Sequence, residues 1–200
     1  PLDPLSAQKV EVIRGPATLR YGSQAIGGIV NAENNRIPTF IPKRGFSGEL
    51  LGATNSADAA REGSASLAVG GGNMAFHADT WGRRNGDYKI PSYPYLVPED
   101  PAPVVGRWQP NSSNSSNGGS IGGSYVFDRG FIGMAVTSFN SVYQIPGQEA
   151  TATNTHIDMR QDKVTAKGEY RFESGPFEAL RFWFGGSTYR HDEIGIGDDG

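Results

Sequence analysis

The sequence contains no cysteine. That excludes a disulfide scaffold, a thiolate metal site and a cysteine nucleophile. It also lacks any apolar run near the roughly 18 residues that a membrane helix needs, and no signal-like segment opens the chain at Pro1. A helical membrane protein is therefore excluded. A strand-built one is not, because barrels hide their lipid face in alternation rather than in runs. An excess of positive charge is missing too. The 18 Lys and Arg against 21 Asp and Glu leave a net charge of -3, so no basic field exists to attract nucleic acid. Glycine is what abounds: 28 of 200 residues, about twice the usual share, which argues against a helical chain. With 36% hydrophobic and 10% aromatic residues, the chain is also too apolar to remain disordered.

Residues 1–36 read as an α+β piece. Lys9-Val10-Glu11-Val12-Ile13-Arg14 is a short strand stopped by Gly15-Pro16, and Gly27-Gly28-Ile29-Val30-Asn31 is a second. The prolines of Ile37-Pro38-Thr39-Phe40-Ile41-Pro42-Lys43 cannot donate to a ladder, so that stretch reads as an extended connector. From Gly45 onward the pattern changes to long alternation. The clearest case is 163–172, with Lys163, Thr165, Lys167, Glu169 and Arg171 on one face and Val164, Ala166, Gly168, Tyr170 and Phe172 on the other. Seven candidate strands result: 46–54, 61–71, 73–83, 119–127, 131–143, 160–172 and 179–190. Tight connections at Gly71–Asn73, Asp128–Gly130 and Glu173–Pro176 alternate with longer ones at 55–60, 84–117 and 144–159. Short turns on one rim and long loops on the other are how up-and-down transmembrane barrels are built. The sequence therefore predicts a mainly β chain, part of an antiparallel up-and-down transmembrane β-barrel.

Aromatics add to this reading. Trp81, Tyr143 and Tyr189 lie near the long-loop ends of their strands, and Phe127, Phe131, Tyr170, Phe172 and Phe177 near the tight-turn ends. Two belts a strand length apart are what bilayer interfaces select. Enzyme patterns, by contrast, fail on context. Gly118-Gly119-Ser120-Ile121-Gly122 fits a nucleophile elbow, but strand follows it where the elbow needs a helix. Gly195-Ile196-Gly197-Asp198-Asp199-Gly200 fits a dinucleotide loop, yet its aspartates would repel a pyrophosphate. His77, His156 and His191 show no metal-ligand spacing, although His191-Asp192-Glu193 could supply ligands to a cation, against the reading of a solvated acidic loop.

The most specific stretch is Val10-Glu11-Val12-Ile13-Arg14-Gly15-Pro16-Ala17-Thr18-Leu19-Arg20-Tyr21-Gly22-Ser23-Gln24-Ala25-Ile26-Gly27-Gly28-Ile29-Val30-Asn31. It resembles the end of the plug domain of TonB-dependent outer-membrane receptors, with their V-E-V-I-R-G-P, L-Y-G and G-G-x-V-N signatures. The resemblance implies two parts: residues 1–42 as the C-terminal part of an α+β plug with its connector, and 43–200 as the first strands of an incomplete barrel. It implies that Glu11 and Arg14 pair with the barrel's inner wall. Gly15 and Pro16 would fix a turn, and Tyr21, Gly22, Gly27, Gly28 and Asn31 would complete the motif.

The function implied is binding and energy-coupled import at the bacterial outer membrane, not chemistry on a substrate. Its partners are outer-membrane lipid, TonB of the inner-membrane complex and a nutrient ligand; no cofactor and no nucleic acid is expected. The outward segments hold Tyr88, Tyr93, Tyr95, Trp108, Gln144, His156, His191, Asp192 and Glu193 as ligand-capture candidates. Aromatics suit the flat faces of a ferric siderophore or similar chelate. A cluster of His191, Asp192 and Glu193 would suit a bare cation such as zinc instead, in line with a looser resemblance of 143–147, 157–160 and 189–193 to receptors of zinc uptake. The chelate is favoured. Two rivals come from other classes: a soluble β-rich adhesin or carbohydrate-binding protein, and an outer-membrane enzyme of the small-barrel type, which would need a Ser/His pair on adjacent strands.

Overall fold

A computed structural model describes residues 9–15, 27–91, 93–94, 104–105, 107–147 and 151–195. Two short strands, β1 (Lys9–Arg14) and β2 (Gly28–Glu33), form an antiparallel hairpin. Seven long strands follow: β3 (Phe46–Asn55), β4 (Ala60–Gly71), β5 (Met74–Asn85), β8 (Asn114–Phe127), β9 (Gly130–Gln144), β10 (His156–Arg171) and β11 (Ala179–Ile194). The two-residue strands β6 (Tyr93–Pro94) and β7 (Val104–Val105) pair within the connection between β5 and β8. The long strands form one antiparallel sheet in the order β3-β4-β5-β8-β9-β10-β11. Each long strand pairs with the next long strand in sequence, so successive connections lie on opposite rims. The chain is mainly β, and its sheet has the up-and-down order that the alternation predicts.

The strands run further than their composition suggests. β5 and β8 continue to Asn85 and from Asn114, because Arg84 pairs with Ser115 and Asn85 with Asn114. The Ser/Asn run 114–117, expected as loop, is therefore ladder. Likewise the region after Tyr189 is strand as far as Ile194, paired with His156–Arg160. The long-loop connections shrink to 56–59, 86–113 and 145–155.

The register sorts side chains into rows, since directly opposite residues share a face. One row is Gly48–Leu67–Ala78–Ile121–Val136–Val164–Gly186, with no polar side chain. The next row toward the tight turns is Phe46–Val69–Phe76–Gly123–Met134–Ala166–Phe184. Shifted by one residue, on the other face, the row is Glu49–Ser66–Asp79–Ser120–Thr137–Lys163–Ser187. The sheet thus has one apolar and one polar face, and the apolar one is bare: Ile121 is 67% exposed, Phe184 68% and Leu50 82%. The polar face is covered over its centre, on β5, β8 and β9, and open at the outer strands, where Trp183 is 84% exposed.

The cover is the connector that leaves β2. Arg36 N–H donates to Asn34 Oδ1 at 3.2 Å, and the chain then crosses the polar face. Pro38 is fully buried and Ile37 nearly so, at 4% exposure. Backbone can lie this close because the wall beneath is small. The inward positions of β8 are Ser116, Gly118, Ser120, Gly122 and Ser124, and those of β9 opposite the last two are Ala135 and Gly133. A Cβ at Gly133 would meet Ile37 Cγ2 at 2.5 Å, and one at Gly122 would overlap the Arg36 carbonyl oxygen. Further on, Ile41 and Pro42 lie against Gly70.

Candidate functional site

Two regions bring chemistry-bearing residues together: the polar wall beneath the connector, and the long-loop rim. The wall site centres on Asp79, whose side chain is 8% exposed. His77 Nε2 lies 3.2 Å from Asp79 Oδ2, the Ser120 hydroxyl donates to the same oxygen, and Arg36 Nε approaches it at 3.9 Å. These groups meet because His77 and Asp79 are two residues apart on β5, Ser120 is Asp79's register partner on β8, and the connector delivers Arg36 from above. Burying a carboxylate needs such partners. Chemically the arrangement is an anchor. Ser120, the serine of the elbow-like pattern, is bonded to a carboxylate and sits on a strand; the histidine bonds that same carboxylate rather than standing between the two, as a nucleophile's base must.

Beside this anchor, Arg36, Ile37, Lys163, Lys167 and Trp183 border a hollow of about 280 Å³ between connector and wall. Lys167 Nζ lies over the Phe131 ring, 5.7 Å from its centroid. Near the tight turns, Glu169 accepts from Arg181 at 2.7 Å and from Arg171 at 2.5 Å on the same polar face.

The long-loop rim is built by cross-linked connections. Asn111 adopts a left-handed backbone (φ 57°) and is buried. Its Nδ2 donates to the carbonyls of Ile145 at 2.7 Å and Thr155 at 2.8 Å, tying the 86–113 connection to 145–155. Gly86 and Lys89 N–H groups donate to Asp58 and Ala57 carbonyls at 2.9 and 2.8 Å, tying it to the first connection as well. Trp108 bridges to Lys89, whose ammonium lies 5.0 Å from the indole centroid. Trp108 and Tyr88 remain exposed.

The sequence candidates distribute as follows. Glu11, Arg14, Gly15, Gly27, Gly28 and Asn31 do come together: Arg14 pairs with Gly28, Glu11 with Asn31, and Gly15 N–H donates to the Gly27 carbonyl at 3.1 Å. Gly15 has φ +94°, a conformation that favours glycine. Pro16, Tyr21, Gly22 and Tyr95 lie outside the described residues, and of Tyr93 only the strand position is described. Gln144 and His156 are register partners, and Gln144 bonds Ser113 at 2.7 Å and Asn154 at 3.0 Å. Both stand on the apolar-belt side of the sheet, not over the polar wall. His191 and Glu193 share the polar face, whereas Asp192 points to the other and pairs with Arg190 at 3.0 Å. Strand alternation thus separates the three residues expected to converge on a cation. Among the described residues no group of three or more His, Asp or Glu side chains is placed to hold a metal ion.

The aromatic belts need one correction. Tyr125, Phe127, Tyr170 and Phe172 form a contiguous row on the apolar face near the tight turns, with centroids 6.1, 6.3 and 5.2 Å apart in succession. Phe131, placed in that belt from the sequence, is on the polar face under Lys167. Trp81, Tyr143 and Tyr189 are also on the polar face, with Trp81 against Phe139 at 5.7 Å. Their parity decides this: Trp81 shares its face with Asp79 and His77.

Sequence reasoning missed Arg36, Asp79 and Asn111. The small inward residues of β8 are the signal that something packs closely there. Compared with models of known protein families, the chain matches none.

Proposed function

We propose that this chain is part of a TonB-dependent outer-membrane receptor, which captures a scarce nutrient and imports it with energy drawn from the inner membrane. The observation that carries the reading is the inverted sheet. Its apolar face is bare over whole rows, while the side chains buried at the centre of the sheet (Ala75, Ser120, Ser124, Ala135 and Ser141) lie on its polar face, the reverse of what water-soluble folding drives. Lipid against the apolar rows and a wet lumen against the polar ones remove the contradiction. The aromatic row Tyr125–Phe127–Tyr170–Phe172 then lies at one bilayer interface. The connector joins the plug-like hairpin to the lumenal wall, with Arg36 at Asp79 as its anchor. Exposed valines on the hairpin (Val10, Val12 and Val30) are accounted for if more plug covers them, and the unpaired edges of β3 and β11 if further strands close the barrel.

For the ligand, the rim favours a ferric chelate over a bare cation: Tyr88 and Trp108 offer aromatic faces, while Asp192 stands apart from His191 and Glu193. The test is cellular. The full-length protein should fractionate with the outer membrane, and uptake of ferric chelates by its host should fall on its deletion and on collapse of the proton gradient. A full-length protein that stays in the soluble fraction without detergent would overturn the proposal in favour of a soluble β-rich binding protein.

A further inference from the structure

The sheet strands carry seven arginines, and five of them reach a carboxylate: Arg83 at Glu62 and Asp58, Arg160 at Asp162, Arg171 and Arg181 at Glu169, and Arg190 at Asp192. Among the described residues Arg61 and Arg84 form no ion pair with a carboxylate. They are also direct cross-strand partners on one face. Like charges directly opposite are unfavourable, and among the described residues no counter-charge relieves the pair.

The two exposed arginines border a hollow of about 650 Å³ together with Ser115, Val142, Gln144 and His156. Among the described residues no Asp or Glu side chain lines it. Ser115 is Arg84's register partner, and Val142 is Ser115's; the carboxylate next in that row is Asp158, beyond Val142. Two guanidinium groups, a hydroxyl, an amide and an imidazole around a space that no described carboxylate lines make a site for a tetrahedral oxyanion, which guanidinium binds in bidentate fashion.

Its position narrows the ligand. Arg61 and Arg84 lie on the apolar face of the sheet, not on the lumenal one. Along β4 the outward residues run Arg61, Gly63, Ala65, Leu67, Val69, so the arginine is six residues from the first wholly apolar row. Six residues are roughly 20 Å of strand, or about 14 Å of height at a barrel tilt of 45°. That is above the hydrocarbon, in the headgroup layer, toward which an arginine stem can extend its charge.

We infer that Arg61 and Arg84 form a binding site for the phosphate of a lipid headgroup on the outer wall of the sheet. The inference rests on the membrane-barrel reading, but it concerns the lipid-facing side and not the nutrient path. The test uses the full-length protein in neutral detergent and reads bound lipid by native mass spectrometry. The probes are phosphatidic acid, diacylglycerol (the same lipid without its phosphate) and inorganic phosphate. Phosphatidic acid should bind and diacylglycerol should not. Joint replacement Arg61→Gln and Arg84→Gln should weaken phosphatidic acid about tenfold to a hundredfold, the worth of a lost charge-assisted contact. Arg160→Gln, whose parent already has Asp162, should leave binding unchanged. Equal binding of both lipids by the unaltered protein overturns the site, as does a double variant that binds like it. Inorganic phosphate displacing the lipid at equal concentration would make this a free-phosphate site and overturn the lipid assignment. A full-length protein soluble without detergent removes the barrel reading and this site together, whereas a detergent-requiring protein indifferent to the phosphate removes the site alone.

Discussion

Gly122→Ala isolates the contact between the connector and the polar wall. A methyl group at Gly122 would overlap the carbonyl oxygen of Arg36 and lie 2.9 Å from Ala135 Cβ. Neither neighbour is the end of a flexible side chain, so no rotamer change relieves the overlap and the connector itself has to lift. Lifting it takes Arg36 from Asp79, where the ion-pair distance of 3.9 Å leaves little slack, and uncovers Ile37 and Pro38. Overpacking of this kind costs about 1–3 kcal/mol. Gly52→Ala is the comparison, because a methyl there meets nothing within 4 Å; it should change stability by no more than about 0.5 kcal/mol. Two measurements separate a local from a global effect. Denaturant unfolding of the full-length protein in detergent reports total stability. Trypsin cleavage at Arg36, Lys43 and Arg44 under native conditions reports lifting of the connector, which should be faster by a factor of about 5–30 if the closed state loses one to two kcal/mol. Equal stability and equal cleavage for the two alanine variants would refute the packing of this segment on the sheet.

Three further outcomes are expected. If the proposed barrel is right, Ala166→Arg, on the apolar face, should destabilise the membrane-inserted protein by about 2–4 kcal/mol, whereas Thr165→Arg, beside the hollow next to the connector, should cost far less; denaturation from vesicles that finds equal effects, or the reverse order, would contradict the facing of β10. Asn111→Asp sets a carboxylate against the Ile145 and Thr155 carbonyls in place of the amide that donates to both, so hydrogen exchange in 145–155 should accelerate, corresponding to about 1–3 kcal/mol, and unaltered exchange would show that Asn111 does not tie the loops. Residues 1–200 expressed alone should aggregate or require detergent, because β3 and β11 leave two long edges unpaired; a monodisperse, cooperatively unfolding monomer in plain buffer would count against a barrel segment.

Local periodicity made the strands and their faces legible, and non-local pairing decided the remainder. On β10 the alternation of Lys163, Thr165 and Lys167 with Val164, Ala166 and Gly168 reads the same in sequence and structure, because a strand's period of two is local. Strand ends were less legible. Ser115 and Ser116 have the composition of a loop, yet Arg84 and Arg83 on β5 supply ladder partners, and strand formation depends more on the neighbour than on intrinsic preference. The face of Trp81 could have been read from its parity with Asp79; proximity to a loop end suggested the opposite face. The connector's seat was the least legible feature, since Arg36 and Gly122 are far apart in the chain and only the run of Ser and Gly at inward positions of β8 hints at a close approach. These particulars bear on function together. A one-residue slip anywhere in the sheet would carry Leu67, Ile121 and Val164 onto the face that holds Asp79, Ser120 and Lys163. Register is specified strongly only where the two faces meet different surroundings. Here the polar face meets the connector through a buried carboxylate, so the opposite face needs surroundings that suit Ile, Val and Phe; in the proposed barrel a lipid bilayer supplies them without a second protein layer.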